Sequence, residues 1–364
     1  MALPRVAFDV GPLLGRRTGV GAAVTALRDG LLASEGVELM PYLVSFRGRP
    51  ESGVRRLALP AALAHRCWAV TDHPRFDRSL KGAAVIHGTN YVVPPSRLPR
   101  LVSVYDCWFL RNPGAAHPDV IRSGEVLRRA LRSGAVAHAS STATADSIRE
   151  LFPEAEVRTV PLGAIDLPAP PPACPIPELD GVPFIVSIST IERRKNIPAL
   201  IDAFGAVSAE HPDLRLVIAG GHGDDIDAVN AALDRLPANA VGRALMTGFV
   251  DEGVRSWLLH HTMALCYPSL DEGFGFPLLD AMQAGAPIVA TNAGSIPEVA
   301  GDAALLVDVG DANALADAIS RIVSDTALRA QLVDAGTRQL ARFTWARTTH
   351  MITELYIELA GDIQ

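Results

Sequence analysis

S-L-D-E-G-F-G-F-P-L-L-D-A-M-Q-A, Ser269 to Ala284, is the stretch on which the reading of this chain turns. Ahead of it, Met263-Ala-Leu-Cys-Tyr-Pro is a short apolar run that stops at a proline, the look of a buried parallel strand reaching the edge of its sheet. Behind it, Leu278 to Ala284 has helical composition, and Pro277 sits where a missing N–H costs nothing. Strand, glycine-bearing loop and helix in that order make half of a parallel α/β unit. Glu272 then falls in the loop and Asp280 in the first helical turn. Gly273 and Gly275 remove side chains, so backbone N–H groups can approach a ligand at the positive end of the helix. The pattern suits an anionic, polyhydroxylated ligand, with one carboxylate near its reacting part and a second for hydroxyls further along. A plain βα loop with solvated acids is the other reading.

Outward from this stretch, the second half of the chain alternates strand and helix. Strands are expected at Phe184 to Ser189, Leu214 to Ala219, Ala244 to Thr247, Met263 to Tyr267, Ile288 to Ala290 and Ala304 to Val307. Helices are expected at Asn196 to Ala209, Asp225 to Leu236, Asp251 to His261 and Ala312 to Ser324, with two more, Ala327 to Arg342 and Trp345 to Leu359, closing the chain. The loop Thr190-Ile-Glu-Arg-Arg-Lys-Asn places Arg193, Arg194 and Lys195 at a strand's carboxyl end. There arginine supplies bidentate contact and lysine a point charge for a diphosphate, or the three form a solvated capping cluster. Lys81 and Lys195 are the only lysines beside 31 arginines, which makes Lys195 stand out. In Thr247-Gly-Phe-Val-Asp, Gly248 ends a strand and Val250 offers backbone to a base edge.

Upstream, Gly163 to Val182 carries Pro168, Pro170, Pro171, Pro172, Pro175 and Pro177 and reads as a semi-rigid linker. The first half has strand-like runs at Arg5 to Val10, Glu38 to Phe46, Ala83 to His87, Leu101 to Tyr105, Ala135 to Ala139 and Val157 to Val160. Thr18-Gly-Val-Gly reads as a glycine turn opening the helix Ala22 to Ser34. His117 to Gly134 is an amphipathic helix, with Val120, Ile121, Leu127 and Leu131 toward the core and Arg122, Arg128, Arg129 and Arg132 on the other side. That basic face is either solvated, with Glu125 pairing to Arg129, or a contact for anionic lipid. His87 ends a strand and reads as a hydrogen-bonded core histidine or as a group facing a cleft. The expected organisation is α/β: an N-terminal Rossmann-like domain over 1–165, a linker over 166–182, a nucleotide-binding Rossmann-like domain over 183–343 and a C-terminal helix over 344–364. The two doubly wound domains would face each other across a cleft.

Composition sets the outer bounds. A chain of 364 residues is long for one core, and 49% hydrophobic with 20% charged residues describes a soluble globular protein. No window approaches the roughly 18 apolar residues of a membrane span. Cys67, Cys107, Cys174 and Cys266 form no C-x-x-C pair, which fits a reducing cytoplasm and argues against zinc and disulfides. Residues 1–165 hold 21 Arg and Lys against 14 Asp and Glu, whereas the remainder holds 12 against 26. A basic first half fits an anionic membrane surface or an anionic acceptor; with only 5% aromatics, nucleic acid is excluded as a partner.

E-G-F-G-F-P-L-L-D-A-M resembles the E-x(7)-E signature of retaining GT-B glycosyltransferases of family 4, and T-I-E-R-R-K-N resembles that family's T-I-E-P-R-K-N loop. D-V-G-P-L-L-G-R-R-T-G-V-G resembles its N-terminal glycine loop, and G-S-I-P-E-V-A-G-D-A-A-L-L-V-D, Gly294 to Asp308, its segment after the signature helix. The resemblance implies the GT-B architecture and transfer of a hexose, mannose from GDP-mannose, to a saccharide or lipid-linked acceptor, with no metal and no cofactor. It implies that Arg194 and Lys195, with Arg193, hold the donor diphosphate, and that Glu272 contacts the transferred sugar. Gly273, Phe274 and Gly275 would present backbone N–H groups, Asp280 would take the ribose hydroxyls, and Gly248 and Val250 would meet the base. Gly19 and Gly21 would close over the phosphates. Tyr105 and Asp106 stand where the family has His-Asp, which makes Tyr105 a sugar-positioning group. A nucleotide-sugar-binding scaffold of low activity and a nucleotide-sugar 2-epimerase are the alternatives.

Overall fold

The computed structural model describes residues 3–14, 19–46, 52–115 and 117–361. They form two units: Met1–Gly163 together with Phe343–Gln364, and Ala164–Arg342. Both sheets are wholly parallel.

In the first unit the strands are β1 (Arg5–Asp9), β2 (Glu38–Val44), β3 (Arg55–Leu57), β4 (Val85–Gly88), β5 (Arg100–Val104), β6 (Val136–Ala139) and β7 (Val157–Thr159), ordered β3-β2-β1-β4-β5-β6-β7. β4, β5 and β6 are buried at every residue, as central strands covered on both faces must be. Alternation sorts the faces. Val6, Phe8 and Leu101 pack with Val24, Leu27 and Leu31 of α1 (Gly19–Ala33) and with the C-terminal helix Trp345–Gly361. Ala7, Val102 and Val104 pack on the opposite face with α4 (Pro118–Arg132) and α5 (Thr142–Leu151). Two further helices, α2 (Ala61–Val70) and α3 (Trp108–Arg111), complete the unit.

A buried polar line crosses this core. Tyr356 OH lies 2.6 Å from His87 Nδ1, and His87 Nε2 lies 2.8 Å from Ser103 Oγ. Ser103 Oγ is in turn 2.8 Å from His138 Nδ1, and His138 Nε2 is 3.0 Å from the Val160 carbonyl oxygen. Because that carbonyl can only accept, every proton along the line has one place: His138 donates to Val160, Ser103 to His138, His87 to Ser103 and Tyr356 to His87. Burial favours the neutral rings, holding His138 down at about 4 and His87 well below the usual imidazole range. His87 is therefore a core histidine.

The second unit has β8 (Phe184–Ile188), β9 (Arg215–Ala219), β10 (Ala244–Gly248), β11 (Ala264–Tyr267), β12 (Ile288–Thr291) and β13 (Ala304–Val307), ordered β10-β9-β8-β11-β12-β13. Its helices are α6 (Ile197–Val207), α7 (Ile226–Asp234), α8 (Glu252–His261), α9 (Phe276–Ala284), α10 (Ile296–Ala300), α11 (Ala312–Ser324) and α12 (Thr326–Leu340).

Three expectations change. The proline-rich segment is no free spacer, since Gln283 Nε2 donates to the Ile165 carbonyl at 2.8 Å and Ser256 Oγ to that of Pro168, tying it to the second unit. In α4 the buried residues include Val126, Leu127 and Leu131, while Val120 is 41% exposed, because the core-facing stripe starts one turn later. Its arginines are also engaged differently. Arg129 pairs with Asp72 at 3.0 Å rather than with Glu125, Arg122 pairs with Asp119, Arg132 with Glu154, and Arg128 covers the Phe152 ring.

Candidate functional site

In a doubly wound sheet the ligand crevice opens at the carboxyl ends of two neighbouring strands whose onward connections run to opposite sides. In the second unit those strands are β8 and β11. The chain after β8 turns through a short 3₁₀ segment, Arg193–Lys195, and enters α6 at Asn196, whose φ of 51° is left-handed. The chain after β11 runs through Glu272 and enters α9 at Gly275, with φ 94°.

Backbone bonds stitch these two loops together. Leu270 N–H donates to the Arg194 carbonyl at 2.7 Å, and the Asn196 side-chain amide donates to that of Pro268 at 3.3 Å. From the other side, Ser295 N–H donates to the Glu272 carbonyl at 2.9 Å, and the Thr291 hydroxyl to that of Ser269. Gly294, with φ 51°, lies so close that a Cβ there would come within 2.4 Å of the Glu272 carbonyl oxygen. The shape of the Glu272 loop is thus imposed on both flanks.

Into this frame come the charges. Glu272 Oε2 accepts from Arg194 Nη1 at 2.8 Å, while Oε1 accepts from the Lys195 ammonium and from Ser269 Oγ at 2.8 Å. Lys195 Nζ also donates to Tyr267 OH at 2.8 Å and lies 4.9 Å from that ring's centre. Burial alone would raise the Glu272 carboxyl, but Lys195 and Arg194, aided by the hydrogen bonds of Lys195 and Tyr267, outweigh it and hold the group at about 2. The carboxylate occupies the place of an anion between two cations that would otherwise repel each other. An incoming diphosphate could take up those same cations.

Asp280 lies one turn deeper in α9 than expected, being the fifth residue of a helix that starts at Phe276. Its Oδ2 accepts from Arg255 Nη1 of α8 at 2.7 Å. Burial raises Asp280 to about 6, Arg255 opposing the rise and Glu252 adding to it. Gly273 and Phe274 are buried in the loop, and the Phe274 ring meets Phe276 edge-on. Gly248 ends β10 with φ 67°, its carbonyl accepting from Gly220 N–H at 2.8 Å, and Val250 follows half-buried. Arg193 is exposed, and its backbone N–H donates to Asp224.

In the first unit, Gly19 and Gly21 form the opening turn of α1 rather than a turn ahead of it, and Thr18 lies outside the described residues. Tyr105 is 8% exposed and its hydroxyl donates to the Thr89 carbonyl at 2.9 Å, between the ends of β4 and β5, which leaves the oxygen's lone pairs to accept. Asp106 accepts from Trp108 N–H at 3.1 Å, at the start of α3. Sequence reasoning passed over Ser269 and Tyr267, which lie within or beside the quoted stretch. It also passed over Arg255 and over Asp9, which ends β1 beside β4. Asp9 Oδ1 accepts from Gly11 N–H at 2.8 Å, and burial pushes this carboxyl up to about 7 against that hydrogen bond. Among the described residues no cluster of His, Cys, Asp and Glu could hold a metal ion, and no helix is long and apolar enough to cross a membrane.

Residues 176–339 match the family described as "Glycosyl transferases group 1". The chain is similar to O-antigen chain mannosyltransferase B of Escherichia coli, 28% identical over 80% of this chain and 76% of that one. It is also similar to a phosphatidyl-myo-inositol mannosyltransferase of Mycolicibacterium smegmatis, 31% identical over 47% of this chain, of which it spans 43%. In structure it resembles sucrose-phosphate synthase from Thermosynechococcus elongatus, with a TM-score of 0.75 at 18% identity, covering 99% of this chain and all of the other. That likeness fixes the fold.

Proposed function

We propose that this chain, whose residues 176–339 match the group 1 glycosyltransferases and which has the GT-B fold, moves mannose from GDP-mannose to a saccharide or lipid-linked acceptor, with retention of configuration and without a metal. The observation that carries this reading is the joining of Arg194, Lys195 and Glu272 where β8 and β11 part. On this reading the donor diphosphate takes Arg194 and Lys195 as partners, with Arg193 at the exposed rim. Gly273 to Gly275 lend backbone N–H groups, Asp280 takes the ribose, and Gly248 and Val250 border the base.

The bond from the anomeric carbon to the phosphate oxygen breaks as the bond to the acceptor oxygen forms on the same face, and the acceptor's proton passes to the departing phosphate. Such a step needs no strong protein base. It needs cations fixed where the leaving oxygen gains charge, each well-placed donor contributing roughly 3 to 4 kcal/mol. Glu272, joined to both cations at the apex of the loop, suits contact with the transferred sugar.

The test is thermal stabilisation by GDP, GDP-mannose, UDP and UDP-glucose, followed by transfer to a panel of mannosides with the product's anomeric configuration read by NMR. A ligand at one hundred times its Kd stabilises by about 2.7 kcal/mol. Stronger stabilisation by the guanosine pair and an α-linked product are expected. Preference for uridine ligands overturns the donor assignment, and tight binding with neither transfer nor hydrolysis favours a nucleotide-sugar-binding scaffold.

A further inference from the structure

Arg255 stands seven residues after Gly248, on the helix that leads directly out of the loop assigned above to the base. Its single bond to Asp280 leaves bonding capacity unused on both partners. Arginine–carboxylate pairs frequently form two parallel bonds. Here Nη1 meets Oδ2 alone, Arg255 Nε is buried with no partner, and Asp280 Oδ1 accepts nothing from the described residues. The side chains are 27% and 5% exposed, so both charges are largely withdrawn from water, and such a pair on balance adds little to folding. What the arrangement does achieve is a fixed carboxylate with one oxygen taken and one left over.

We propose that Arg255 is a positioning residue of the donor site: by occupying Asp280 Oδ2 it keeps that carboxylate charged and fixed, leaves Oδ1 for a ribose hydroxyl, and ties the ribose contact to the base loop through α8. The proposal rests on Asp280 being the ribose ligand. The charges acting on Asp280 come from α8, where Arg255 favours its ionised form and Glu252 its neutral form. Of the other helices packed on α9, α12 meets it through Val333 and Gly336 against Gly285 and Met282, and α10 brings one carboxylate, Glu298. A neutral Asp280 would keep its shape but lose the charge-assisted hydrogen bond that a hydroxyl can make to a carboxylate. The preference for ribose should therefore follow the ionisation of Asp280, with Arg255 setting where that occurs.

The experiment measures Kd for GDP and for 2′,3′-dideoxy-GDP, or for the uridine pair if that base is preferred, from pH 5 to 9. The proteins are wild type, Arg255→Ala, Arg255→Lys and Asp280→Asn. In the wild type the preference for the ribonucleotide is expected to grow through about pH 6 and level off above it. In Arg255→Ala the midpoint moves up by about two units, so that at pH 7 the preference falls about tenfold and returns by pH 9, while Arg255→Lys stays near wild type. An unmoved midpoint, or a loss equal at every pH, overturns the proposal in favour of a purely structural pair. Should Arg255→Ala fail to fold, Arg255→Gln against Arg255→Lys decides the same question, only the glutamine variant being displaced. If instead Asp280→Asn retains the full ribonucleotide preference, the ribose assignment itself has failed, whatever Arg255 does.

Discussion

Asp9 and Glu272 lie at the carboxyl ends of the two sheets where the strand order reverses, Asp9 ending β1 beside β4 and Glu272 in the loop that follows β11 beside β8. Their chemistry is opposite. Among the described residues Asp9 has one backbone hydrogen bond and no cation, and burial pushes it to about 7; Glu272 has two cations, and burial is overruled to reach about 2. Asp280, with the single cation Arg255, comes between them at about 6. All three carboxyls are desolvated, so the number of cations in reach separates them, and depth does not. The same fold therefore builds a charged centre in one unit and a carboxyl poised to be neutral in the other. Topology fixes where a site lies, and the side chains fix what it can do.

The sharpest way to break this comparison is to remove Glu272. In Glu272→Ala, Arg194 and Lys195 are left buried against each other, which should cost about 3 to 5 kcal/mol of stability in urea unfolding and abolish transfer. Part of that loss should return on adding GDP, whose phosphates replace the carboxylate. The sign with pH follows from the depressed value: the stabilisation by Glu272 is fully present above its ordinary 4.5 and is lost as pH falls toward about 2. Glu272→Gln should flatten that acid limb; an unchanged limb would mean that the cations do not hold the carboxylate.

Next in size come the cations themselves. Lys195→Ala and Arg194→Ala should each weaken GDP by about 1.5 to 3 kcal/mol, with guanosine little affected. Equal losses for GDP and guanosine in calorimetry would remove these residues from the phosphates.

The smallest effect belongs to Asp9. Its carboxyl binds its proton more tightly folded than unfolded, so its contribution is favourable below its ordinary 3.8 and is lost as pH rises through about 7. Asp9→Asn should then raise stability at pH 8 by roughly 1 to 2 kcal/mol, a figure discounted for the group's partial exposure. The gain should vanish near pH 4. A loss at pH 8 would show that Asp9 is held as a needed anion.

How much of this was legible in the sequence depended on distance along the chain. Helix α11 begins and ends where its residues suggest, because Asp311 caps it and its apolar positions keep the helical period. The Glu272 loop and the Arg193 to Lys195 loop announce themselves locally, each a run of chemistry at a strand's end. Their union does not, since it needs β8 and β11 to be neighbours although 75 residues lie between Ile188 and Ala264. The Arg255–Asp280 pair is hidden for the same reason. Strand β3 escaped notice because two of its three residues are exposed arginines on an edge, where charge is no obstacle to pairing. Tyr105 shows a different limit: its place at the end of β5 was visible, but the aim of its hydroxyl was settled by the Thr89 carbonyl, which no local pattern reveals.

The division of the first unit into two separate segments has a consequence during synthesis. The second unit is complete once Arg342 has been added, so its sheet and helices can close as soon as they leave the ribosome. The first unit, though translated earlier, lacks Ile352, Leu355, Tyr356 and Leu359 until a later stretch is made, and without them Val6, Phe8 and Val85 are covered on that side by α1 alone and His87 Nδ1 lacks the Tyr356 hydroxyl. The nascent chain must therefore hold an unfinished amino-terminal sheet in waiting while the carboxyl-terminal unit matures, the reverse of the order in which the two are encoded.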